Sequence, residues 1–393
     1  MKQFDVIIIG ASAAGLMCAI EAGKRHRKVV VLDHTNKVGK KILMSGGGRC
    51  NFTNYYTSPE NYISHNPHFC KSALSRYTQW DFIALVEKHS VPYHEKTLGQ
   101  LFCDHKSKDI VNILLSECES ANVVIRLNTD IHNIEPLEAG YHLTTSNEIY
   151  QCESLVIATG GLSIPTLGAT PFGYKVAEQF GLNIWQTSAG LVPFTLHLEH
   201  KERFASLSGV SVYSTATSES GDTFAENFLF THRGLSGPAI LQISSYWHPG
   251  EYIEINLLPN INILDALETY KQKHPKVQLK TFLSEHLPKR LLAVFLSNSL
   301  LDAPIKSLNK TDLALLTQQL QSWKIKPNGT EGYRTAEVTL GGVDCNEISS
   351  KTMEANNAKG LYFIGEVLDV SGWLGGYNFQ WAWASGWCAG QVV

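Results

Sequence analysis

The sequence lacks the features that mark several classes of protein. Its eight cysteines are scattered, and no two have the C-x-x-C or C-x4-C spacing of a redox dithiol, which fits a reducing cytoplasm. No apolar run after the N-terminal segment approaches the roughly 20 residues that cross a bilayer. The formal charge of −3 offers no excess of positive charge for nucleic acid or an anionic membrane. We therefore expect a cytoplasmic protein with a small-molecule substrate and neither nucleic acid nor membrane as a partner.

The N-terminal segment has the pattern of a βαβ unit. Between Asp5 and Asp33, an apolar strand, a glycine turn, an apolar helix and a second apolar strand follow one another. Gly10 permits a sharp turn off the first strand, and Gly15 permits close packing of the helix on the sheet. The N–H groups at the start of the helix suit a pyrophosphate, and the Asp33 carboxylate suits a ribose hydroxyl pair. Ser12 replaces the middle glycine of the motif, and its small side chain is compatible with the turn.

Three further glycine-rich segments have the composition of ligand-binding loops. The run Ser45–Asn51 (Ser-Gly-Gly-Gly-Arg-Cys-Asn) is unsuited to the interior of a helix or strand, and it combines free N–H groups with the charge of Arg49. The segment Leu155–Gly161 reads as a buried strand that ends in a glycine turn. Near the C-terminus, Gly375 and Gly376 precede a helix, whose N-terminal end carries a partial positive charge.

The remaining pattern divides the chain into segments of different secondary structure. We expect a dinucleotide-binding first part in residues 1–190, a β-rich insertion in 191–260, a helical subdomain in 261–332 and a return to the first domain in 333–393. Within the first part, Val123–Leu127 is a third parallel strand and residues 129–152 form an antiparallel meander. Strand-like segments at Phe194–Leu198, Val210–Thr217, Phe224–Thr231 and Tyr252–Leu258 predict a small barrel or sandwich. Residues 263–325 are predicted to be helical.

The N- and C-terminal motifs together resemble the FAD-binding domain of the glutathione-reductase-like flavoproteins. More narrowly, Ser45–Asn51, Phe230–Pro238 and Gly365–Gln380 resemble the BaiN/RsdA/aminoacetone-oxidase-like family of FAD-dependent oxidoreductases. The resemblance spans essentially the whole chain. It departs from the family pattern at Ser12 and in the loop Ser371–Leu374. It implies an α/β fold, with a Rossmann-like FAD-binding domain and antiparallel meander, an inserted β-barrel-like domain and a helical subdomain.

The resemblance also implies which residues hold the cofactor. FAD would lie extended, with its pyrophosphate at Gly10–Gly15, its adenosine ribose at Asp33, its adenine at the Ile131 backbone and its N1/O2 edge near Gly376–Asn378. The predicted FAD-binding residues are Gly10, Ala11, Ser12, Ala13, Ala14, Gly15, Asp33, His34, Lys41, Ser45, Gly46, Gly48, Arg49, Cys50, Asn51, Ile131, Ala158, Thr159, Gly160, Gly161, Gly365, Glu366, Gly375, Gly376, Tyr377 and Asn378. NAD(P)H would dock transiently, because no second G-x-G-x-x-G unit is present.

The expected activity is hydride or two-electron transfer through flavin N5 to or from a small organic substrate, an enone or an amine. A tRNA-modifying flavoprotein and a non-catalytic flavin sensor are the alternatives. No catalytic acid or base is assigned. Cys50 is either a reactive thiol or a packed loop residue. The candidates for shaping a substrate pocket are His232, Arg233, Glu337, Trp373 and Tyr377. No metal site is predicted, since His65 and His68 are not joined by other ligands.

Overall fold

The computed structural model describes residues 1–393 and divides into two compact units. The first unit combines Met1–Ser188 with Val338–Val393, and the second unit is Ala189–Glu337. The sequence placed these boundaries at residues 190/191 and 332/333, a few residues away. No helix combines the length and apolar character needed to cross a membrane.

The first segment of the chain contains thirteen strands and six helices. The strands are β1 (Lys2–Gln3), β2 (Val6–Ile9), β3 (Val29–Leu32), β4 (Asn51–Asn54), β5 (Tyr62–Ile63), β6 (Tyr93–Glu95), β7 (Gln100–Cys103), β8 (Val124–Arg126), β9 (Ile131–Pro136), β10 (Tyr141–Thr145), β11 (Ile149–Cys152), β12 (Ser154–Ile157) and β13 (Ile184–Gly190). The helices are α1 (Ala13–Lys24), α2 (Lys40–Met44), α3 (Phe69–Arg76), α4 (Gln79–Lys88), α5 (Lys108–Ser120) and α6 (Phe172–Gln179).

The middle and last segments complete the element list. The middle segment has β14 (Phe194–Thr195), α7 (Leu198–Phe204), β15 (Ser211–Ser218), β16 (Thr223–Phe230), β17 (Gly234–Ser236), α8 (Pro238–Ser244), β18 (Ile253–Asn256), α9 (Ile263–Lys273), α10 (Leu279–Leu283), α11 (Lys289–Phe295), α12 (Asn298–Leu301), α13 (Lys310–Leu320), β19 (Trp323–Ile325) and β20 (Gly329–Thr330). The last segment has β21 (Val338–Val343), β22 (Leu361–Phe363), β23 (Ser371–Gly372) and α14 (Tyr377–Gly390).

A five-stranded parallel sheet forms the centre of the first unit. Its order is β22-β12-β2-β3-β8, so the last segment of the chain adds the strand at one edge. The runs Val-Ile-Ile-Ile and Val-Val-Val-Leu of β2 and β3 are entirely buried. β-Branched residues favour the extended backbone, and a strand covered on both faces reads as a continuous apolar run. The carboxyl ends of these strands therefore meet at one edge, where the glycine turns follow.

Helices α1 and α14 pack against each other with very close backbone approach. A Cβ atom added to Gly386 of α14 would lie 2.4 Å from the carbonyl oxygen of Ala14 in α1. One added to Gly390 would lie 2.9 Å from the Cys18 carbonyl oxygen. Arg25 strengthens this contact, since its guanidinium donates to the Gly390 carbonyl at 3.1 Å. The beginning and the end of the sequence are thus built into one domain.

Most predicted elements of the first unit are confirmed. β8 pairs parallel with β3, and β9, β10 and β11 form the antiparallel meander, which β1 joins in parallel. In the second unit, β14 to β20 form one seven-stranded sheet in the order β19-β18-β15-β16-β17-β14-β20. A single sheet excludes the sandwich, which requires two.

Two local predictions for the insertion were wrong. The predicted strand over Phe194–Leu198 stops at Thr195, and Leu198 begins helix α7. The predicted helical stretch up to Ile325 ends at Leu320, because Trp323–Ile325 pairs antiparallel with β18. Trp323 and Ile325 are buried on one side of the sheet, while Lys324 between them is exposed. This alternation of buried and exposed residues is typical of a strand, but over three residues it is too short to be recognised in the sequence.

Candidate functional site

The turn after β2 has no room for side chains at its two glycines. Gly10 has φ of 118°, and a Cβ atom there would lie 2.3 Å from the Ala158 carbonyl oxygen. A Cβ atom at Gly15 would lie 2.0 Å from the Gly10 carbonyl oxygen. No side chain caps the N-terminus of α1 at Ser12, and Ala11, Ala13 and Ala14 add no polar group. The first N–H groups of the helix are therefore available to an anion, as a pyrophosphate requires.

Asp33 fixes the shape of this turn. One carboxylate oxygen accepts from the Ala11 N–H at 2.7 Å, and the other accepts from the Thr35 N–H at 2.7 Å. The imidazole of the neighbouring His34 lies 3.9 Å from the carboxylate and is largely exposed. The Asp33 carbonyl accepts from the N–H of Thr129, two residues before the predicted adenine contact Ile131. Asp33, His34 and Ile131 thus lie at one end of the strand edge.

Replacing Asp33 tests its assignment. We expect Asp33→Ala to bind FAD about 10- to 100-fold more weakly, because it removes a charged acceptor from a ribose and from the Ala11 N–H. Asp33→Asn should show a smaller loss, since its amide oxygen still accepts one hydrogen bond. Asp130→Ala, which removes an exposed carboxylate nearby, serves as the control. Titration of apoprotein with FAD, followed by fluorescence quenching, measures the affinities; equal affinity of the Asp33→Ala and Asp130→Ala variants would contradict the assignment.

Glu366 and Lys41 form an ion pair at the end of β22. The Lys41 ammonium lies 2.6 Å from one Glu366 oxygen and donates to the Ser163 hydroxyl at 2.7 Å. The other Glu366 oxygen accepts from the Thr339 N–H at 2.9 Å and from the Ser163 hydroxyl at 3.2 Å. Since both charged side chains are part-exposed, the pair orders the site more than it stabilises the fold.

The Ala158–Gly161 turn lies against this network. A Cβ atom at Gly161 would lie 2.4 Å from the Thr339 hydroxyl, whereas one at Gly160, where φ is 72°, would meet only a Glu366 oxygen at 3.9 Å. The Thr159 hydroxyl is buried without a hydrogen-bond partner. It packs against Gly173 of α6, where an added Cβ atom would lie 2.2 Å from the hydroxyl oxygen. These features fit a dinucleotide cofactor lying across the turn.

The Ser45–Asn51 loop has the backbone of a ligand-facing turn. Gly46, Gly47 and Gly48 all have positive φ, and Cβ atoms at Gly47 and Gly48 would meet nothing within 4 Å. The loop leaves Arg49 exposed, with its carbonyl accepting from the Cys103 N–H at 3.0 Å. The Ser45 hydroxyl donates to the Ile42 carbonyl at 2.7 Å, which anchors the start of the loop.

Cys50 is a packed loop residue in this structure. Its side chain is fully buried although its backbone has φ of 51°. Burial raises the pKa of the Cys50 thiol well above its usual range, while a hydrogen bond with Ser45 lowers it by less. The thiol therefore stays protonated at neutral pH, which favours the packing interpretation over the reactive one.

Gly375 and Gly376 create the start of helix α14. They have φ of 127° and 96°, and a Cβ atom at Gly376 would lie 2.4 Å from the Thr53 carbonyl oxygen. The buried Asn54 amide donates to the Gly375 carbonyl at 2.9 Å. Gly376 has no side chain that could cap the helix. This is the arrangement that stabilises negative charge at a flavin N1/O2 edge.

The side chains that flank this helix start are held by backbone contacts. Asn378 accepts from the Gly372 N–H at 2.8 Å and donates to the Gly372 carbonyl at 2.8 Å, which closes the loop of the departing sequence Ser371–Leu374. The Tyr377 carbonyl accepts from the buried Tyr62 hydroxyl at 3.0 Å. The Asn51 side chain lies against Gly376, since a Cβ atom added to Gly376 would be 2.9 Å from the Asn51 Oδ1 atom.

The two ends of the predicted cofactor site converge on α1 and α14. Gly365, with φ of 73°, lies against Ala14, and the Trp381 indole donates to the Gly365 carbonyl at 3.1 Å. Ala14 also contacts Gly386, ten residues along α14 from Gly376. At about 1.5 Å per residue, the N-terminus of α14 is roughly 15 Å from the Gly10–Gly15 turn, a span that suits an extended cofactor.

The candidates for the substrate pocket are placed in both units. In the second unit, His232 and Glu337 are exposed, and Arg233 pairs with Glu331 at 2.9 Å. In the first unit, the Trp373 indole packs edge-on against the Tyr377 ring at 6.4 Å. Burial raises the pKa of Tyr377. These five residues remain predictions for substrate contact.

The side chain of His65 contacts Asp369 and Trp185. His65 Nδ1 lies 2.9 Å from a carboxylate oxygen of the buried Asp369, and its ring stacks on Trp185 at 3.8 Å. The backbone of His68 precedes α3.

Sequence reasoning missed several polar residues of the site. Thr339 is fully buried, and its hydroxyl accepts from the N–H groups of Leu162 and Ser163 at 2.8 and 3.2 Å. The Thr53 hydroxyl donates to Gln380 at 2.7 Å and ties β4 to α14. Thr339 could have been found in the sequence, because it is a polar residue between the apolar Val338 and Leu340, just before Gly341–Gly342.

A parallel sheet with glycine turns at its carboxyl edge, an acid at the end of its second strand and a C-terminal helix that starts after two glycines are typical of a FAD-dependent oxidoreductase, with FAD as its cofactor. The chain belongs to the family described as HI0933-like protein Rossmann domain, whose profile matches residues 4–392. The resemblance drawn from the three motifs is thereby confirmed. The sheet topology confirms the predicted α/β fold class.

Known proteins similar to this chain are enzymes. The ribosomal RNA dihydrouridine synthase of Escherichia coli (strain K12) is 58% identical over 392 residues, covering 100% of this chain and 98% of that protein. The 3-dehydro-bile acid delta(4,6)-reductase of Clostridium scindens is 28% identical over 406 residues, covering 98% of each. Among solved structures, a quinol-fumarate reductase with menaquinol shares the fold, with a TM-score of 0.53 at 15% identity over 99% of this chain and 70% of that one.

Proposed function

We propose that this enzyme reduces uridine in ribosomal RNA to dihydrouridine. The observation that carries the proposal is the 58% identity, over the full length of both chains, with a ribosomal RNA dihydrouridine synthase. The substrate chemistry agrees with the expectation of an enone. In uracil, the C5=C6 double bond is conjugated with the C4 carbonyl, so it accepts a hydride at C6 and a proton at C5. The amine alternative is set aside.

The residues of the first unit would bind and orient the cofactor. Reduced FAD supplies a hydride equivalent from N5. Gly10–Gly15 and Asp33 would hold its adenosine diphosphate half, and the Lys41–Glu366 pair with Thr159 would line its middle. The positive end of α14 would stabilise the charge of the reduced ring, without any reorganisation at the moment of reaction. An external NADH or NADPH, docking transiently, would regenerate the reduced cofactor.

The second relative supports the class of reaction and offers the competing substrate. Its name places the reduced unsaturation at positions 4 and 6 of a 3-dehydro bile acid. In both named substrates a carbon–carbon double bond is reduced. A small-molecule enone reductase is therefore the alternative that the experiment must separate from RNA modification.

The proposal departs from the expectation that nucleic acid is not a partner. That expectation was drawn from the net charge of −3. Net charge averages over the whole surface, whereas RNA contacts only one face of a protein.

A direct assay tests the proposed function. The FAD-loaded protein is incubated with unmodified ribosomal RNA transcribed in vitro and with NADH or NADPH, and the RNA is digested to nucleosides and analysed by mass spectrometry. We expect a nucleoside with two hydrogen atoms more than uridine, formed only when FAD and the reductant are both present. Reduction of a steroid dienone, with no dihydrouridine in RNA, would identify a small-molecule reductase and contradict the proposal.

A further inference from the structure

Positive charge is concentrated in one part of the chain. Residues 261–332 contain 10 Lys and Arg against 6 Asp and Glu, a net charge of +4 within a chain whose total is −3. The remaining residues therefore carry −7. An excess of this kind on one region is the electrostatic signature of a surface that meets a polyanion.

Four lysines of this region lie on segments that are hydrogen-bonded to each other. Lys271 and Lys273 are in the last turn of α9, and Lys276 is in the loop that follows. The Lys306 N–H donates to the Pro275 carbonyl at 3.1 Å, which places Lys306 beside that loop. We call these four residues the lysine cluster. The side chains of Lys273, Lys276 and Lys306 are exposed.

The lysines of the cluster form no ion pairs, although Asp265 lines the groove that Lys273 also lines. None of the cluster's four side chains has a carboxylate partner within 4.0 Å, whereas other lysines of the second unit do have partners. Lys280 pairs with Asp302 at 2.7 Å, and Lys324 pairs with Glu254 at 3.6 Å. Like charges that lie close together repel and lower stability, so an uncompensated group of them favours an anionic ligand.

A groove with aromatic side chains adjoins the cluster. Its volume is about 650 Å³, and its lining includes Asn262, Asp265, Tyr270, Lys273 and His274. The Tyr270 and His274 rings lie 4.8 Å apart at an angle of 46°. Flat rings beside lysines are the combination that binds unpaired nucleotides, because bases stack on rings while phosphates meet the ammonium groups.

We propose that the lysine cluster and the adjoining groove dock the phosphate backbone and an unpaired base of the ribosomal RNA substrate. This inference rests on the proposed function and specifies where the RNA binds. The sequence Lys271-Gln-Lys-His-Pro-Lys276 held part of this signal, and Lys306 joins it only in the folded chain.

A fourfold variant tests the inference. Lys271→Gln, Lys273→Gln, Lys276→Gln and Lys306→Gln are combined, and binding to unmodified ribosomal RNA transcribed in vitro is measured from about 50 to 200 mM salt. At roughly 0.7 to 0.9 per contact, losing four phosphate contacts lowers the slope of log K against log salt by about 3. We expect affinity at ~0.1 M salt to fall on the order of 100-fold.

A charge-matched variant serves as the control. It combines Lys71→Gln, Lys175→Gln, Lys351→Gln and Lys359→Gln, four exposed lysines of the first unit. The control should keep the wild-type slope, and both variants should keep FAD and its rate of reduction by NAD(P)H. If the fourfold variant does not fold, the double variant of Lys276 and Lys306 should lose about half as much slope.

The outcomes separate this inference from the proposed function. Equal slopes for the cluster variant and wild type, or equal losses in the cluster variant and the control, would overturn the docking surface while wild-type dihydrouridine formation stands. If wild type neither binds the RNA nor forms dihydrouridine, the proposed function itself fails. If wild type forms dihydrouridine and only the cluster variant loses affinity, the inference is supported.

Discussion

We expect Gly10→Ala to purify without bound FAD and to unfold at lower denaturant than wild type. The added methyl group would lie 2.3 Å from the Ala158 carbonyl oxygen, on a backbone with φ of 118°. The Ala158 oxygen is a backbone atom and cannot move aside like a flexible side chain, so β2 and β12 must separate at the predicted pyrophosphate site. The backbone conformation alone costs a residue other than glycine about 1–3 kcal/mol.

Gly250→Ala isolates the part of this effect that comes from the backbone. Gly250 has φ of 103°, and a Cβ atom there would meet nothing within 4 Å. We expect it to lose about 1–3 kcal/mol of unfolding free energy and to retain FAD fully. Absorbance of the bound flavin and urea denaturation measure both properties. If Gly10→Ala retains FAD as Gly250→Ala does, the turn does not hold the cofactor.

We expect Thr339→Val to lower the free energy of unfolding by roughly 2–4 kcal/mol, because it removes the hydroxyl that accepts from two N–H groups, one of them buried. Valine has nearly the shape of threonine, so packing changes little. The groups concerned are the N–H groups of Leu162 and Ser163, whose hydrogen bonds to the Thr339 hydroxyl measure 2.8 and 3.2 Å. FAD retention should fall as well, since Ser163 also contacts Glu366.

Thr339→Ser is the matched variant for this effect. It keeps the hydroxyl and loses only a methyl group, so it should be destabilised by about 1 kcal/mol. Urea denaturation of both variants, monitored by tryptophan fluorescence, gives the comparison. Equal stability of the valine and serine variants would show that the hydroxyl is not the feature that matters at this position.

The parts of the site that the sequence predicted are those whose chemistry is local. Gly10, Gly15 and Asp33 lie within one βαβ unit, where the spacing of glycines and of the acid is set by chain geometry. The start of helix α14 was likewise predicted from a local signal, the two glycines Gly375 and Gly376 that precede it. Each of these signals could be read within about 30 residues of sequence.

The parts that the sequence did not predict depend on contacts between distant segments. Thr339 has its role only because β21 lies beside the Leu162–Ser163 backbone, 176 residues away in the chain. The pairing of Lys41 with Glu366 spans 325 residues. The lysine cluster was overlooked because the average charge of the chain hid it and because Lys306 is remote in sequence.

The packing of α14 on α1 also determines when the enzyme can become active during its synthesis. Every residue of the second unit emerges from the ribosome before β22 and α14 are made. That unit can therefore complete its own core early, while the nascent first unit still lacks an edge strand and the helix that covers α1. We expect the flavin to be captured only after β22 and α14 have joined the first unit, so that prosthetic-group loading is a late step in folding.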